Sequence, residues 1–215
     1  MTYLGHSLRH ALFVCALLGA AAVPAAEGDW SFGLRTSLMW SDGEPIGDIM
    51  AGGVVATREM DGWRLGMALD LSSWDAEHPA ETIGITQDPA FETVDAAVDE
   101  MDISVWMERE LGGDDDLRWI YILGLGIAST DVANATGPVQ GGGTFDIAIE
   151  TGIEPFVLAG LGLRMPFGEG WELSSDFEAR YRAMNWELVD QNSPARGEIG
   201  NELLFGFTLG VAKRF

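Results

Sequence analysis

The last thirteen residues, Leu203-Leu-Phe-Gly-Phe-Thr-Leu-Gly-Val-Ala-Lys-Arg-Phe215, decide how the rest of the chain is read. Taken alternately, they give Leu203, Phe205, Phe207, Leu209, Val211, Lys213 and Phe215 on one side. The other side carries Leu204, Gly206, Thr208, Gly210, Ala212 and Arg214, which are smaller and more polar. A period of two over this length is the signature of a strand with two unlike faces, not of a helix. The run also exceeds the roughly 9–11 residues that a tilted strand needs to cross a bilayer.

The same alternation recurs upstream. It predicts strands at Trp30–Trp40, Ile49–Arg58, Trp63–Trp74, Met101–Leu111, Leu117–Ala128, Phe145–Met165 and Trp171–Met184, with Leu203–Phe215 as the eighth. Pro155 inside the sixth predicts a bulge or local edge, because proline cannot donate to a ladder. Asp-Gly at 61–62 marks a tight turn. Brief turns at 59–62, 112–116 and 167–170 alternate with long or variable connections at 42–45, 75–100, 131–143 and 185–198. Short turns at one end and longer loops at the other are the habit of membrane barrels. The expectation is an all-β, eight-stranded antiparallel up-and-down transmembrane β-barrel. A soluble sandwich or lipocalin-like barrel would also alternate, but with its apolar face inward. Its tryptophans would have no reason to share one level. Here Trp30, Trp63, Trp119 and Trp171 all begin odd-numbered strands on the apolar parity. With Phe215 they form a predicted membrane-interface girdle, where amphipathic rings settle.

Residues 1–25 have the make-up of a secretory leader: Arg9 beside His6 and His10, an apolar run Ala11–Val23, then small residues suited to cleavage after Ala25. Residues 26–215 are then the barrel domain, exported through the Sec pathway. The only cysteine, Cys15, lies in the leader behind Val14, so no lipoprotein signal, disulfide framework or thiolate metal site is expected. The formal charge is −22 and becomes −23 once Arg9 is removed, which argues against a nucleic-acid partner. Beyond the leader no apolar stretch is long enough for a membrane helix. A closed barrel is the other structure that satisfies every backbone group in lipid.

Pro155-Phe-Val-Leu-Ala-Gly-Leu-Gly-Leu-Arg164, followed by Pro166-Phe-Gly-Glu-Gly-Trp-Glu-Leu173, resembles the small bacterial outer-membrane β-barrel family of OmpA-, OmpX- and OmpW-type proteins. The likeness covers the mature chain in pattern and the last third in motif. It implies the outer membrane of a Gram-negative bacterium, outer-membrane lipids and lipopolysaccharide as surroundings, and a monomer. It also implies that Phe207, Leu209, Val211 and Phe215 are read as an assembly signal by the barrel assembly machinery. Lys213 stands where that family usually has an apolar or aromatic residue. The family shares no catalytic residues, and none are transferred.

The opposite parity is heavily charged. Arg64, Glu110, Arg118, Arg164, Glu172 and Arg214 fall near the short-turn end; Arg35, Asp70, Glu108, Asp176, Glu178, Arg180 and Arg182 lie further up. Adjacent strands suggest the pairs Arg64 with Glu110, Glu110 with Arg118, and Arg164 with Glu172 and Arg214. The interior of an eight-stranded barrel is just wide enough for side chains to fill, and charges there must be paired or wet. Such a lumen fits a salt-bridged plug; a narrow hydrated path for ions or small solutes is the alternative, porin-like reading. Some outer-membrane barrels modify lipid A with a serine and a histidine. The mature chain has one histidine, His78, near Ser72, Ser73, Asp75 and Glu77 in a predicted loop, without an enzyme motif. The loop at 75–100 holds eight acids and no Lys or Arg. It reads as a solvated surface, or as a contact for divalent cations or a cationic partner, without the spacing of a dedicated calcium loop. The expected function is therefore a non-enzymatic structural or surface-interaction role in the cell envelope, with no cofactor and no metal. Deleting Phe215 is expected to lower the amount assembled in the outer membrane severalfold while export and leader removal continue, as measured by membrane fractionation.

Overall fold

The computed structural model describes residues 30–41, 48–79, 93–113, 116–138, 144–190 and 196–215; the expected leader lies outside them. The strands are β1 (Trp30–Ser41), β2 (Ile49–Met60), β3 (Trp63–Pro79), β4 (Thr93–Gly113), β5 (Arg118–Val132) and β6 (Ala135–Pro138). They continue with β7 (Thr144–Glu150), β8 (Ile153–Phe167), β9 (Trp171–Arg182), β10 (Trp186–Asp190), β11 (Arg196–Ile199) and β12 (Glu202–Arg214). Eight of them close a barrel in the neighbour order β1-β12-β9-β8-β5-β4-β3-β2. All of its pairings are antiparallel, and β12 closes it against β1 from Ser31↔Arg214 to Ser41↔Leu204. Past the end of that ladder, the Phe215 N–H donates to the Trp30 carbonyl at 3.0 Å.

The parity read from the sequence is the parity of the wall. Leu34, Leu125, Val157 and Leu209 are each more than half exposed on the outside, whereas Arg35, Glu108, Phe156 and Thr208 are buried inside. Soluble proteins do not expose a continuous apolar surface of this kind; in lipid it is the favourable surface. At one end the hairpins turn tightly. Gly62 (φ 71°) supplies the left-handed conformation demanded by the two-residue turn between the paired Met60 and Trp63.

At the other end the structure corrects the sequence reading. Much of the acidic stretch 75–100 is strand: β3 and β4 remain paired out to Pro79↔Thr93. His78 accordingly sits on β3 opposite Val94, not in a loop. The stretch 145–165 is not one strand but two, β7 and β8, and the break falls at Thr151–Gly152. Pro155 lies within the β5–β8 ladder opposite Ile127, and its carbonyl accepts the Ala183 N–H at 3.0 Å. The expected loops 131–143 and 185–198 contain β6, β10 and β11.

These extra strands are the barrel wall continued. Strands β5, β8, β9 and β12 each break and are prolonged by β6, β7, β10 and β11. The latter form a four-stranded sheet in the same neighbour order, β11-β10-β7-β6. This sheet encloses a second apolar core with the prolonged β3–β4 hairpin. Trp74, Ala96 and Val98 meet Ile147, Ile149, Met184, Trp186 and Leu188, with Met39, Ile49 and Leu204 from the top of the barrel. Trp74 and Trp186 stack at 6.1 Å between ring centroids. On β10 the buried Trp186 and Leu188 keep the even-numbered inward parity of β9, whereas across the break at Thr151–Gly152 the buried set shifts from Glu154 and Phe156 of β8 to Ile147 and Ile149 of β7. The barrel carries its hydrogen bonds within the closed sheet, so mild detergent is expected to leave it folded. Unboiled and boiled samples in gel electrophoresis should show different mobilities, and identical mobility would contradict the closed barrel.

Candidate functional site

The interior of the barrel is where the fold concentrates chemistry. Among the described residues, six arginines reach inward, and each meets carboxylates from other strands. Near the short turns, Arg64 donates to Glu59 at 2.6 Å and to both Glu172 oxygens, one of which also accepts from Arg118 at 2.6 Å. Above them, Arg164 donates to Glu108 at 2.6 Å and to Asp176, and the Trp106 indole N–H donates to Glu108 at 2.9 Å. Higher still, Arg35 meets Asp70 at 2.8 Å, and Arg180 meets Glu178 at 3.0 Å and Asp102 at 3.2 Å. At the top, Arg182 donates to Glu154 at 2.6 Å and to Glu100 at 2.7 Å, and Glu154 also accepts from Thr130 at 3.0 Å.

Half of these contacts reach past the neighbouring strand instead of linking adjacent ones. Arg64 on β3 reaches Glu172 on β9, and Arg182 on β9 reaches Glu100 on β4. The sequence suggested adjacent pairs, and the register replaces most of them. Arg64 lies opposite Glu108, not Glu110. Glu110 is past the last β3 partner, next to a bulge, and is exposed. Arg164 keeps a contact with Glu172 at 4.0 Å, but its closer partners are Glu108 and Asp176. Arg214 is exposed at the rim opposite Ser31.

Glycine makes the crossings possible. Arg35 on β1 reaches Asp70 on β3 across Gly53 of β2, where an added Cβ would stand 2.2 Å from the Asp70 carboxylate. Gly66 likewise leaves the space that the Trp106 indole fills, and the Arg35 guanidinium lies 5.1 Å over that ring.

Several lumen residues were missed in the sequence. Glu100 falls in the acidic stretch 75–100 that reads as loop, yet it pairs within the β3–β4–β5 wall. Asp102 and Glu154 share the parity of Glu108 and Arg164, so alternation alone could have placed them. Glu202 is also buried inside, with its carboxylate accepting from Ser41. The lumen is not uniformly charged either: Ile120, Ile122, Phe156 and Leu158 form an apolar wall with Trp106. Among the described residues, no three potential ligands converge as a metal centre would require. Small spaces remain among them. One of about 10 Å³ lies beside Asp102, Arg180 and Arg182. Another, about 130 Å³, opens among Arg64, Arg118 and Arg164 at the short-turn end.

Outside that end, Trp30, Trp63, Trp119, Trp171 and Phe215 ring the wall with Phe32, Tyr121 and Phe167 between them. Trp30 stacks on Phe32 at 6.1 Å, Phe32 meets Phe215 at 6.2 Å and Trp63 meets Tyr121 edge-on at 6.0 Å. Lys213, the departure in the closing strand, sits over Trp171 and Phe215 at 5.5 and 5.8 Å from the ring centroids. Phe207 packs on Phe177 at 5.1 Å on the lipid-facing wall, and Leu209 is exposed there. Val211 is partly exposed on the same parity.

Comparison of sequences finds no matching family model and no matching curated protein. Solved structures do match in fold. A major outer membrane protein from Thermus thermophilus aligns with a TM-score of 0.57 at 13% identity, over 86% of this chain and 99% of that one. The outer membrane protein AlkL in lipid bilayers aligns with a TM-score of 0.50 at 13% identity, over 90% and 93%. Neisserial surface protein A aligns with a TM-score of 0.47 at 12% identity, over 86% and 96%. The chain has the fold of the small outer-membrane β-barrels. Replacing Arg164 by Gln strands Glu108 and Asp176 without their shared cation, a loss of about 3–5 kcal/mol for a buried pair. Arg164→Gln is therefore expected to lower the melting temperature in detergent well beyond Arg58→Gln on the exposed rim, as followed by circular dichroism.

Proposed function

We propose that this chain is a non-enzymatic outer-membrane protein with a structural or surface-interaction role in the cell envelope, its lumen a plug and not a path. The closure beside Arg180 and Arg182 carries this reading. The space left there, about 10 Å³, has room for about one water molecule. Above it, the outer sheet and its apolar core stand between the lumen and the loop end. A conducting path would have to break ion pairs that are buried on both sides, such as Arg182 with Glu100 and Glu154. The outer end is acidic, with Asp75, Asp99, Asp131, Glu150 and Glu187 exposed, which suits contact with cationic partners at the surface. Lipids, lipopolysaccharide and the assembly machinery complete the expected surroundings.

The porin-like reading draws on one feature, the cavity of about 130 Å³ at the short-turn mouth, which resembles a vestibule. A planar bilayer separates the two. Insertion of folded protein should leave the membrane electrically silent; current steps of reproducible size would overturn the plug and favour the channel.

A further inference from the structure

Charges on the outside of the barrel are sorted by end. Among the described residues, the outward-facing basic ones on the barrel strands are Arg58, Arg109 and Lys213, all at the short-turn end. The outward acids whose side chains are described, Asp75, Asp99 and Asp131, lie at the opposite end. The chain is strongly acidic as a whole, so a basic belt at one rim does not follow from composition. None of the three cations has an ion pair with a described carboxylate. Each lies over a ring instead: Arg58 over Trp30 at 5.6 Å, Arg109 over Trp63 at 5.2 Å and Lys213 over Trp171 at 5.5 Å. Of the acids at that end, Asp61, Asp116 and Glu169 sit in the turns, Glu59 and Glu110 line the mouth of the lumen, and Glu172 meets Arg64 and Arg118 inside it.

Strand order makes the belt continuous. From β9 through β12, β1, β2 and β3 to β4 it runs Trp171, Lys213, Phe215, Trp30, Arg58, Trp63, Arg109. Strands β5 and β8 complete the circle with Trp119 and Phe167, and no outward cation.

We propose that Arg58, Arg109 and Lys213, seated on this aromatic girdle, bind the phosphate headgroups of anionic phospholipids in the leaflet that faces the short turns. A cation held at the membrane boundary with no protein carboxylate is neutralised by what surrounds it, and there that is lipid phosphate. Guanidinium groups match phosphate with two parallel N–H···O bonds. The ring beneath holds the cation by its π face and leaves the outer donors free. An anionic headgroup is favoured over a zwitterionic one, whose own ammonium competes for the phosphate.

The inference rests on the reading of the chain as a membrane-spanning barrel with its short turns toward the periplasm. The test uses folded protein in bilayers of phosphatidylcholine and phosphatidylglycerol, one lipid brominated at a time, with quenching of tryptophan fluorescence as the readout. At low salt, phosphatidylglycerol should be preferred about fivefold at the belt, the effect of one interfacial cation. The preference should approach unity in high salt and in the variant R58Q/R109Q/K213Q. No preference in the native protein, or an undiminished one in the variant, would overturn the belt. If the variant does not fold, the salt titration of the native protein decides, and a preference that survives high salt overturns it. The gel mobility of boiled and unboiled samples reports separately on the barrel. A lost preference with intact mobility removes the belt alone.

Discussion

A strand in hydrocarbon has no water to receive its backbone N–H and C=O groups, so each must be paired within the protein. Here the requirement is met by the pairing of β12 with β1, which leaves the wall without an edge. Closure in turn dictates the two faces. Every side chain of one parity is committed to lipid and every one of the other to a lumen a few side chains wide. The apolar outside and the charged inside are thus two consequences of one hydrogen-bonded ring.

The lumen then has to solve an electrostatic problem in little space. Carboxylates without cations there would each cost several kcal/mol. The arginines answer by sharing: Arg164 serves Glu108 and Asp176, Arg182 serves Glu100 and Glu154, and Glu172 is shared by Arg64 and Arg118. Forked guanidinium donors can serve two acceptors at once, which lysine does less well. Buried ion pairs add little net stability against apolar packing, so their effect is better sought in selection of register. A slip of one residue would send every one of these charges into lipid.

The loop end follows a different logic. Once the wall has left the membrane, its inward parity turns apolar, with Trp74, Trp186 and Leu188 in place of arginine and glutamate. Four strands break together, and the outer sheet packs its apolar core against the prolonged β3–β4 hairpin. The Trp186 indole N–H donates to Glu154, tying this apolar core to the topmost ion pairs. The lumen is therefore filled by charge below and covered by hydrocarbon above.

The sequence by itself determined the eight-stranded barrel, its two faces and the closing strand, because a period of two is a local property that each strand carries alone. Phe205, Phe207 and Leu209 announce their side of the wall without reference to any other strand. What only the tertiary structure decided was how far the strands run and which charges meet. The acidic composition of 75–100 looks like loop, yet Asp99 and Glu100 are strand because β3 and β5 are there to pair with them. Thr151–Gly152 looks like continuous strand, yet the ladder breaks there and the buried set shifts from Glu154 and Phe156 to Ile147 and Ile149, which join the outer apolar core. Arg64 finds Glu172 because closure brings opposite walls within one side chain's reach, and Arg35 finds Asp70 across the gap left by Gly53. That distance is set by strand number and register, and no local pattern of residues encodes it.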